Sequence, residues 1–374
     1  MPRLRHYWVV VHRWFALSVG WVLALMGITG ALLLIAAPLD EQLHPELFRV
    51  TLPSSESTTR VTLESVRQQL VGEFGPRAAL SFHPPHSAQQ SLEVTVRGKW
   101  QGAVYIDPYT GRELGRRGAT QGFFNLLFKL HSSLLLDQTG KPLLACVALC
   151  YLLMLISGIV LWWPRAGIKT WRIELRRGRT RALYDLHRVG GASLGLVIAL
   201  SVATGAYMAW RPLGGWVTTL SGAHPMKAPA LPLHASRTEP PLPIDTLVAD
   251  AQAQFPDGQI NIVQLPAKSD APLRVRLRLP DDPHPNGLTS VWLDPYSGKV
   301  LAAQRWNQLD PGARAVSVIY PLHTGELGGL PLMIVLGTGG LALFGLSVTG
   351  VWQWWRRRKA RHHTRRLSGN ATRP

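Results

Sequence analysis

Cysteine is nearly absent from this chain: the 374 residues hold only Cys146 and Cys150. Two thiols cannot staple loops of domain size, and without a Cys-x-x-Cys-His string there is no covalent haem attachment. Placed at i, i+4 in an apolar run, they could present two thiolates to a metal, but small buried hydrophobes are the commoner reading. Charge is missing from four long runs, Trp14–Leu39, Pro142–Pro164, Val189–Trp210 and Leu327–Trp355. A transporter relaying protons through central carboxylates or lysines is therefore disfavoured. Phosphate loops, a Ser-His-Asp context and a zinc-protease helix are absent as well. The one dinucleotide-like string, Gly337-Thr338-Gly339-Gly340-Leu341-Ala342, lies inside an apolar run without a preceding strand, so no NAD or flavin site is evident.

Each uncharged run is long enough to cross a hydrocarbon layer of about 30 Å at about 1.5 Å per residue. The net charge of +18 is concentrated: segments 1–13, 165–188 and 356–374 carry 19 of the 40 Lys and Arg against Glu174 and Asp185 alone. This positive-inside pattern puts both termini and the 165–188 loop in the cytoplasm, beside anionic lipid and not nucleic acid. Tyr7, Trp8, Trp14, Trp162–Trp163, Trp210 and Trp352–Trp355 sit where interfacial rings are favoured. The first run exceeds a signal-peptide core of roughly 7–15 residues and matches the third run, so it reads as a retained span. A bacterial inner membrane is the expected address.

The sequence also repeats itself. His12, Arg13, Gly20, Thr29 and Gly30 return as His187, Arg188, Gly195, Thr204 and Gly205, all displaced by 175 positions, and His131, Ser157, Gly158, Trp162 and Trp163 return as His323, Thr349, Gly350, Trp354 and Trp355, displaced by 192. The layout expected is a membrane α-helical fold, four transmembrane helices in a duplicated arrangement with two α+β periplasmic domains. Its parts are 1–39 (N-terminus and first span), 40–130 (periplasmic), 131–164 (second span), 165–188 (basic loop), 189–210 (third span), 211–326 (periplasmic), 327–355 (fourth span) and 356–374 (basic tail).

Each periplasmic loop reads as a helix followed by strands: Leu63–Leu70, then Ala79–Phe82, Leu92–Val96 and Ala103–Ile106; and Ile244–Ala253, then Ile260–Leu265, Leu273–Leu279 and Thr289–Leu293. Asp107-Pro108-Tyr109-Thr110-Gly111 recurs as Asp294-Pro295-Tyr296-Ser297-Gly298, which is turn chemistry rather than an active site. Arg274, Arg276 and Arg278 alternate with Val275, Leu277 and Leu279. That basic strand face is either solvated or a contact for an anionic or hydroxamate-bearing ligand. Pro225–Pro243 reads as a linker.

Neutral imidazole is a good ligand for haem iron, and four histidines at matched positions of two halves are the arrangement a membrane haem protein needs. His12 and His187 open spans from the cytoplasmic side, whereas His131 and His323 precede spans entered from the other face. A two-fold axis along the membrane normal would pair His12 with His187 and His131 with His323, giving two bis-histidine haem b sites. His44, His224 and His234 are alternative partners near the periplasmic surface. Gly20 and Gly195, two turns past their histidines, either clear space for porphyrin or serve helix packing; Arg13 and Arg188 either pair with propionates or anchor to lipid phosphate.

The helix-plus-strands loops closing on Asp-Pro-Tyr-(Thr/Ser)-Gly, the His12-Arg13-Trp14 opening, the Gly-x-Thr-Gly close and Ser157-Gly158 followed by Trp162-Trp163-Pro164-Arg165 resemble the PepSY-associated transmembrane helix family. Within it, the four-span layout is most similar to FoxB-type inner-membrane ferrisiderophore reductases. The resemblance covers roughly residues 5–358 and departs where Arg356 stands in place of the proline found at Pro164. It implies PepSY-like periplasmic domains and a haem protein that reduces ferric siderophore in the periplasm, fed by quinol or a separate donor. The competing reading is a membrane-anchored periplasmic binding or regulatory module, with the histidines as anchors.

Overall fold

The computed structural model describes residues 2–53, 59–163, 171–224, 226–231, 240–268 and 270–370. The chain divides into two compact units, Met1–Ile35 with Leu127–Gly214 and His323–Pro374, and Ala36–Leu126 with Gly215–Leu322. In chain order the elements are α1 (Pro2–Leu33), α2 (Ala36–Leu43), α3 (Pro45–Phe48), α4 (Leu63–Phe74), β1 (Ala79–His83), β2 (Leu92–Arg97), β3 (Gln101–Ile106), β4 (Glu113–Gly118), α5 (Phe123–Ser133) and α6 (Asp137–Trp162). They continue with α7 (Arg179–Ala209), α8 (Arg211–Leu220), α9 (Ile244–Gln254), β5 (Gln259–Leu265), β6 (Leu273–Arg278), β7 (Thr289–Leu293), β8 (Val300–Gln304), α10 (Pro311–Ser317), α11 (Ile319–Thr324) and α12 (Gly329–Asn370).

The first unit is a ring of four helices, in which α1 packs on α12, α12 on α7, α7 on α6 and α6 on α1. Four stretches are long and apolar enough to cross a membrane: Leu4–Leu33, Asp137–Trp162, Arg179–Ala209 and Glu326–Ala360. Their outer faces expose Trp21, Leu149, Ile334 and Leu196, the last 80% exposed, which water would penalise and acyl chains accept. The interior is built from Val22, Leu23, Val147, Tyr151, Ile198 and Leu343. A Cβ on Gly27 would lie 2.5 Å from the Gly340 carbonyl oxygen, so α1 and α12 meet through small residues. Close helix packing is thus what the dinucleotide-like string at 337–342 provides.

Two expectations change here. The span expected from residue 131 begins at Asp137, because Leu134, Leu135 and Asp137 take positive φ and break the helix; His131 therefore rides on the separate short helix α5. The basic loop is also shorter than drawn, since α7 starts at Arg179, while 164–170 lies outside the described residues.

The second unit corrects the picture of two domains. Both long loops contribute to one eight-stranded antiparallel sheet, ordered β4-β3-β2-β1-β5-β6-β7-β8. The join is β1 against β5, with Leu80 opposite Leu265 and Phe82 opposite Val263. Side by side, the halves share one core of Leu80, Phe82, Val94, Val263, Val275 and Val291 beneath α4 and α9. Alternation in each strand signals this, but β4 and β8 (Glu-Leu-Gly-Arg-Arg-Gly and Val-Leu-Ala-Ala-Gln) carry little apolar periodicity and were not expected. The two Asp-Pro-Tyr turns behave as their residues demand. Asp107 Oδ1 accepts from the Tyr109 amide at 2.8 Å and Asp294 Oδ1 from the Tyr296 amide at 3.0 Å, with Gly111 and Gly298 at φ +72° and +74°.

The helices over this core cap each other. Asp245 accepts from the Leu63 and Glu64 amides at 2.9 and 3.0 Å, and Glu64 accepts from the Ile244 amide at 3.3 Å. Each N-terminus thereby gains the carboxylate that its free amides and dipole favour.

Candidate functional site

The four repeated histidines converge in pairs inside the helical unit. The His12 and His187 ring centroids are 6.4 Å apart with planes at 88°, and those of His131 and His323 are 6.3 Å apart at 44°. A metal–imidazole bond is about 2.0 Å and the ring centre lies about 1.1 Å beyond the nitrogen, so two imidazoles facing each other across one metal would hold their centroids roughly 6.2 Å apart. Both pairs have that spacing. On the helix ring, α1 and α7 are diagonal neighbours, so the first pair spans the bundle; the second joins residues that immediately precede the other diagonal, α6 and α12.

Each imidazole is seated on a hydroxyl–glycine dipeptide of an adjacent helix. His12 Nδ1 lies 2.8 Å from Ser157 Oγ, His187 Nδ1 3.3 Å from Thr349 Oγ1, His131 Nδ1 2.9 Å from Thr29 Oγ1 and His323 Nδ1 2.9 Å from Thr204 Oγ1. The hydroxyls already spend their single hydrogen on helix carbonyls: Ser157 on Met154 at 2.8 Å, Thr349 on Gly345 at 2.7 Å, Thr29 on Leu25 at 2.7 Å and Thr204 on Leu200 at 2.8 Å. With those hydrogens on the helix carbonyls, the hydroxyls accept from the imidazoles, and His12 Nδ1 also lies 3.2 Å from the Met154 carbonyl, which can only accept. This arrangement puts the proton on Nδ1 and leaves the Nε2 lone pair bare, the tautomer a metal ligand needs.

The following glycine makes room for the ring. A Cβ on Gly158 or Gly350 would meet the Cε1 of His12 or His187 at 3.5 Å, and one on Gly30 or Gly205 would meet that of His131 or His323 at 3.0 or 2.9 Å. Ser157-Gly158, Thr349-Gly350, Thr29-Gly30 and Thr204-Gly205 are thus imidazole receptors. In the sequence these are repeated positions with no role of their own. The signal was available: a hydroxyl residue before glycine, four times, on the opposite end of a span from a histidine.

Two nitrogen ligands are too few for a bare zinc ion, which takes four, and the described residues contain no group of three or more His, Cys, Asp or Glu placed to hold a metal. Trans imidazoles suit a metal whose remaining positions a macrocycle fills, and the donor set fits haem iron. Gly20 is buried, yet an added Cβ would meet nothing within 4 Å, leaving space beside the first pair; at Gly195 the Leu155 side chain already lies 2.7 Å from where a Cβ would be.

The remaining expected residues are placed as follows. Arg188 lies 3.1 Å from Asp185 and donates to the Arg172 carbonyl at 3.0 Å, both through one terminal nitrogen, so its guanidinium braces the start of α7 while its buried Nε has no hydrogen-bond partner. The Arg13 guanidinium lies over Trp14, 5.9 Å from the ring centroid. His44 contacts Glu46 and His224, 90% exposed, sits 3.8 Å from Asp310, so neither is the partner of an imidazole; His234 lies outside the described residues, as does much of the 225–243 linker. Cys146 is exposed on the apolar surface of α6 and Cys150 half-buried, both as free thiols.

On the sheet, Val275 and Leu277 are buried while Arg274, Arg276 and Arg278 point to the opposite face, the last exposed. Arg274 donates to Ser290 Oγ at 2.8 Å and lies 5.1 Å from the Trp292 ring centroid. Arg276 donates to the Gly287 carbonyl, and its buried Nε has no partner. Burial, helped by Arg276, pushes the Arg274 guanidinium down to about 10. Burial and then the Arg276 charge push the His284 imidazole down to about 4.

No curated protein matches this chain. The family model for the PepSY-associated TM region matches residues 9–357, taking in all four apolar helices and both sheet-forming loops. By that match the chain is a multi-pass membrane protein of the PepSY-associated TM region family.

Proposed function

We propose that the protein is an oxidoreductase of the bacterial inner membrane, moving electrons one at a time from quinol or another donor, through two haem b groups, to a ferric siderophore in the periplasm. On this reading both termini are cytoplasmic, the sheet unit is periplasmic, and the repeated histidines reflect an internal duplication. The observation that carries it is the convergence of four imidazoles in two couples, their ring centroids 6.4 and 6.3 Å apart and each Nδ1 beside a hydroxyl, so that His12 with His187 and His131 with His323 would hold the two haems.

Haem b, held this way, supplies a reversible one-electron couple. The chain's residues set where it operates. His12 and Thr29 are 17 residues apart on α1, as are His187 and Thr204 on α7, so the two levels are roughly 26 Å apart along the helices and lie near opposite faces of the hydrocarbon layer. Ser157, Thr349, Thr29 and Thr204 hold the Nδ1 protons, which orients the rings and keeps Nε2 basic. The apolar interior between the levels excludes water and ions. One quinol gives two electrons and two protons and so reduces two ferric ions; the ferrous product is held much more weakly by hard oxygen ligands and is released without bond cleavage in the chelator.

The test is the visible spectrum of the purified full-length protein. A Soret band and a reduced α-band are expected, with two haems per chain, and dithionite-reduced protein should be reoxidised anaerobically by ferric siderophore. Colourless protein after expression with ample haem would sink the proposal and leave the anchored binding module.

A further inference from the structure

The sheet's polar face has a charge pattern that reverses between its two halves. On β2, Glu93 stands cross-strand from Tyr105; on β6, at the corresponding place, Arg274 stands cross-strand from Trp292. The fold therefore does not require an arginine there. Arg276, two residues on, shares that face, and His83 at the end of β1 is near enough to feel its charge.

This basic patch is short of counter-charge among the described residues. Neither Arg274 nor Arg276 forms an ion pair among the described residues: Arg274 is held by Ser290 and Trp292, Arg276 by a backbone carbonyl with its Nε left over. Among the described residues Asp282 is the carboxylate that acts on Arg276, one negative charge against two guanidiniums; its Oδ2 takes the Leu279, Leu288 and Thr289 amides and its buried Oδ1 has no hydrogen-bond partner. Two half-buried guanidiniums on one strand face repel each other and lose hydration, and both penalties are relieved by an anion. Arg274 is also braced against an indole, which holds its planar fork in place for oxygen ligands.

We infer that the face of β6 around Arg274 and Arg276 is an anion-binding site that selects ferric chelates bearing net negative charge, of carboxylate or catecholate type, over neutral or cationic hydroxamate complexes. This rests on the reductase reading for the ligand's identity, while the site itself rests on the unpaired guanidiniums. Trp292 and Ser290 position Arg274, and the His83 imidazole borders the patch.

The experiment uses the full-length, haem-loaded protein in a neutral detergent. Equilibrium dialysis measures binding of ferric citrate, an anionic ferric tris-catecholate and a cationic ferric trihydroxamate; stopped-flow mixing of the reduced protein measures reoxidation by each. Expected is at least tenfold tighter binding of the anionic complexes, weakening as salt rises. R274Q and R276Q should each raise the half-saturating concentration tenfold or more with the limiting rate unchanged, R274K should restore only the part due to charge, and R97Q on β2 should have no effect. An unchanged haem spectrum and circular dichroism establish that the variants are folded. Equal binding of anionic and cationic complexes, or indifference to R274Q and R276Q, overturns the inference but leaves the reductase reading standing. Anion binding at Arg274 without reoxidation by any chelate would leave the site and remove the reductase. Displacement only by phosphatidylglycerol, with no chelate bound, would make this a lipid headgroup site and overturn the inference.

Discussion

The two imidazole pairs share a plan and differ in how firmly they are held. His12 and His187 belong to the long helices α1 and α7, whose backbones fix them. Their rings are perpendicular, their glycine seats leave 3.5 Å, and one of the two Nδ1 contacts is slack at 3.3 Å. His131 and His323 ride on short helices, α5 and α11, next to breaks in the chain. Their seats are closer, at 3.0 and 2.9 Å, and both Nδ1 contacts are 2.9 Å. Where the backbone gives less support, the hydroxyl–glycine receptor grips harder, so the receptor matters more to the second pair than to the first.

The bluntest way to break that comparison is to remove one imidazole from each pair. His187→Ala and His323→Ala should each abolish one of two haem equivalents and leave the other, read as pigment per protein. Loss of both from either change would mean that the pairs are not independent sites. The glycine seats sharpen it: Gly30→Ala and Gly205→Ala should empty the second site, because an imidazole clamped between receptor and metal cannot retreat, whereas Gly158→Ala and Gly350→Ala at ordinary contact distance should keep the first. Equal tolerance of all four would refute the difference in grip. A subtler change, Thr204→Val, deletes the Nδ1 acceptor, and haem retention at the second site should weaken by about 10–100-fold, with a smaller loss for Thr349→Val at the first. Haem transfer to an apoprotein acceptor measures both. The smallest effect expected comes from the sheet: Asp245→Ala removes the cap shared by α4 and α9 and should lower the sheet unit's stability by about 1 kcal/mol in denaturant titration. Both pigment signatures should persist, and their loss would show that the imidazole pairs depend on the sheet.

Much of the helical unit was legible because the membrane leaves few options: uncharged runs of span length, bounded by basic clusters and Trp, admit little but helices. The histidine pairs were legible because repeated positions at matched depth restrict who can meet whom. Other features were hidden. That His131 precedes its span is legible, but the place of the break, at Leu134, Leu135 and Asp137 with positive φ, is not. The strands β4 and β8 lack an apolar rhythm and are recruited by their neighbours. That Asp185 lies buried beside Arg188 is decided by the fold.

By itself, the sequence determined the four spans, the charge asymmetry and the identity of the imidazoles, since hydropathy, charge and repetition are properties of a string. Only tertiary structure decided that the two loops form one sheet and that hydroxyl–glycine pairs receive the imidazoles. It alone showed that Arg274 and Arg276 form no ion pair among the described residues. The first two depend on segments more than 100 residues apart meeting in space, and no local spacing encodes which strand edge or hydroxyl arrives; the third turns on how neighbouring strands and a turn fold around the two guanidiniums.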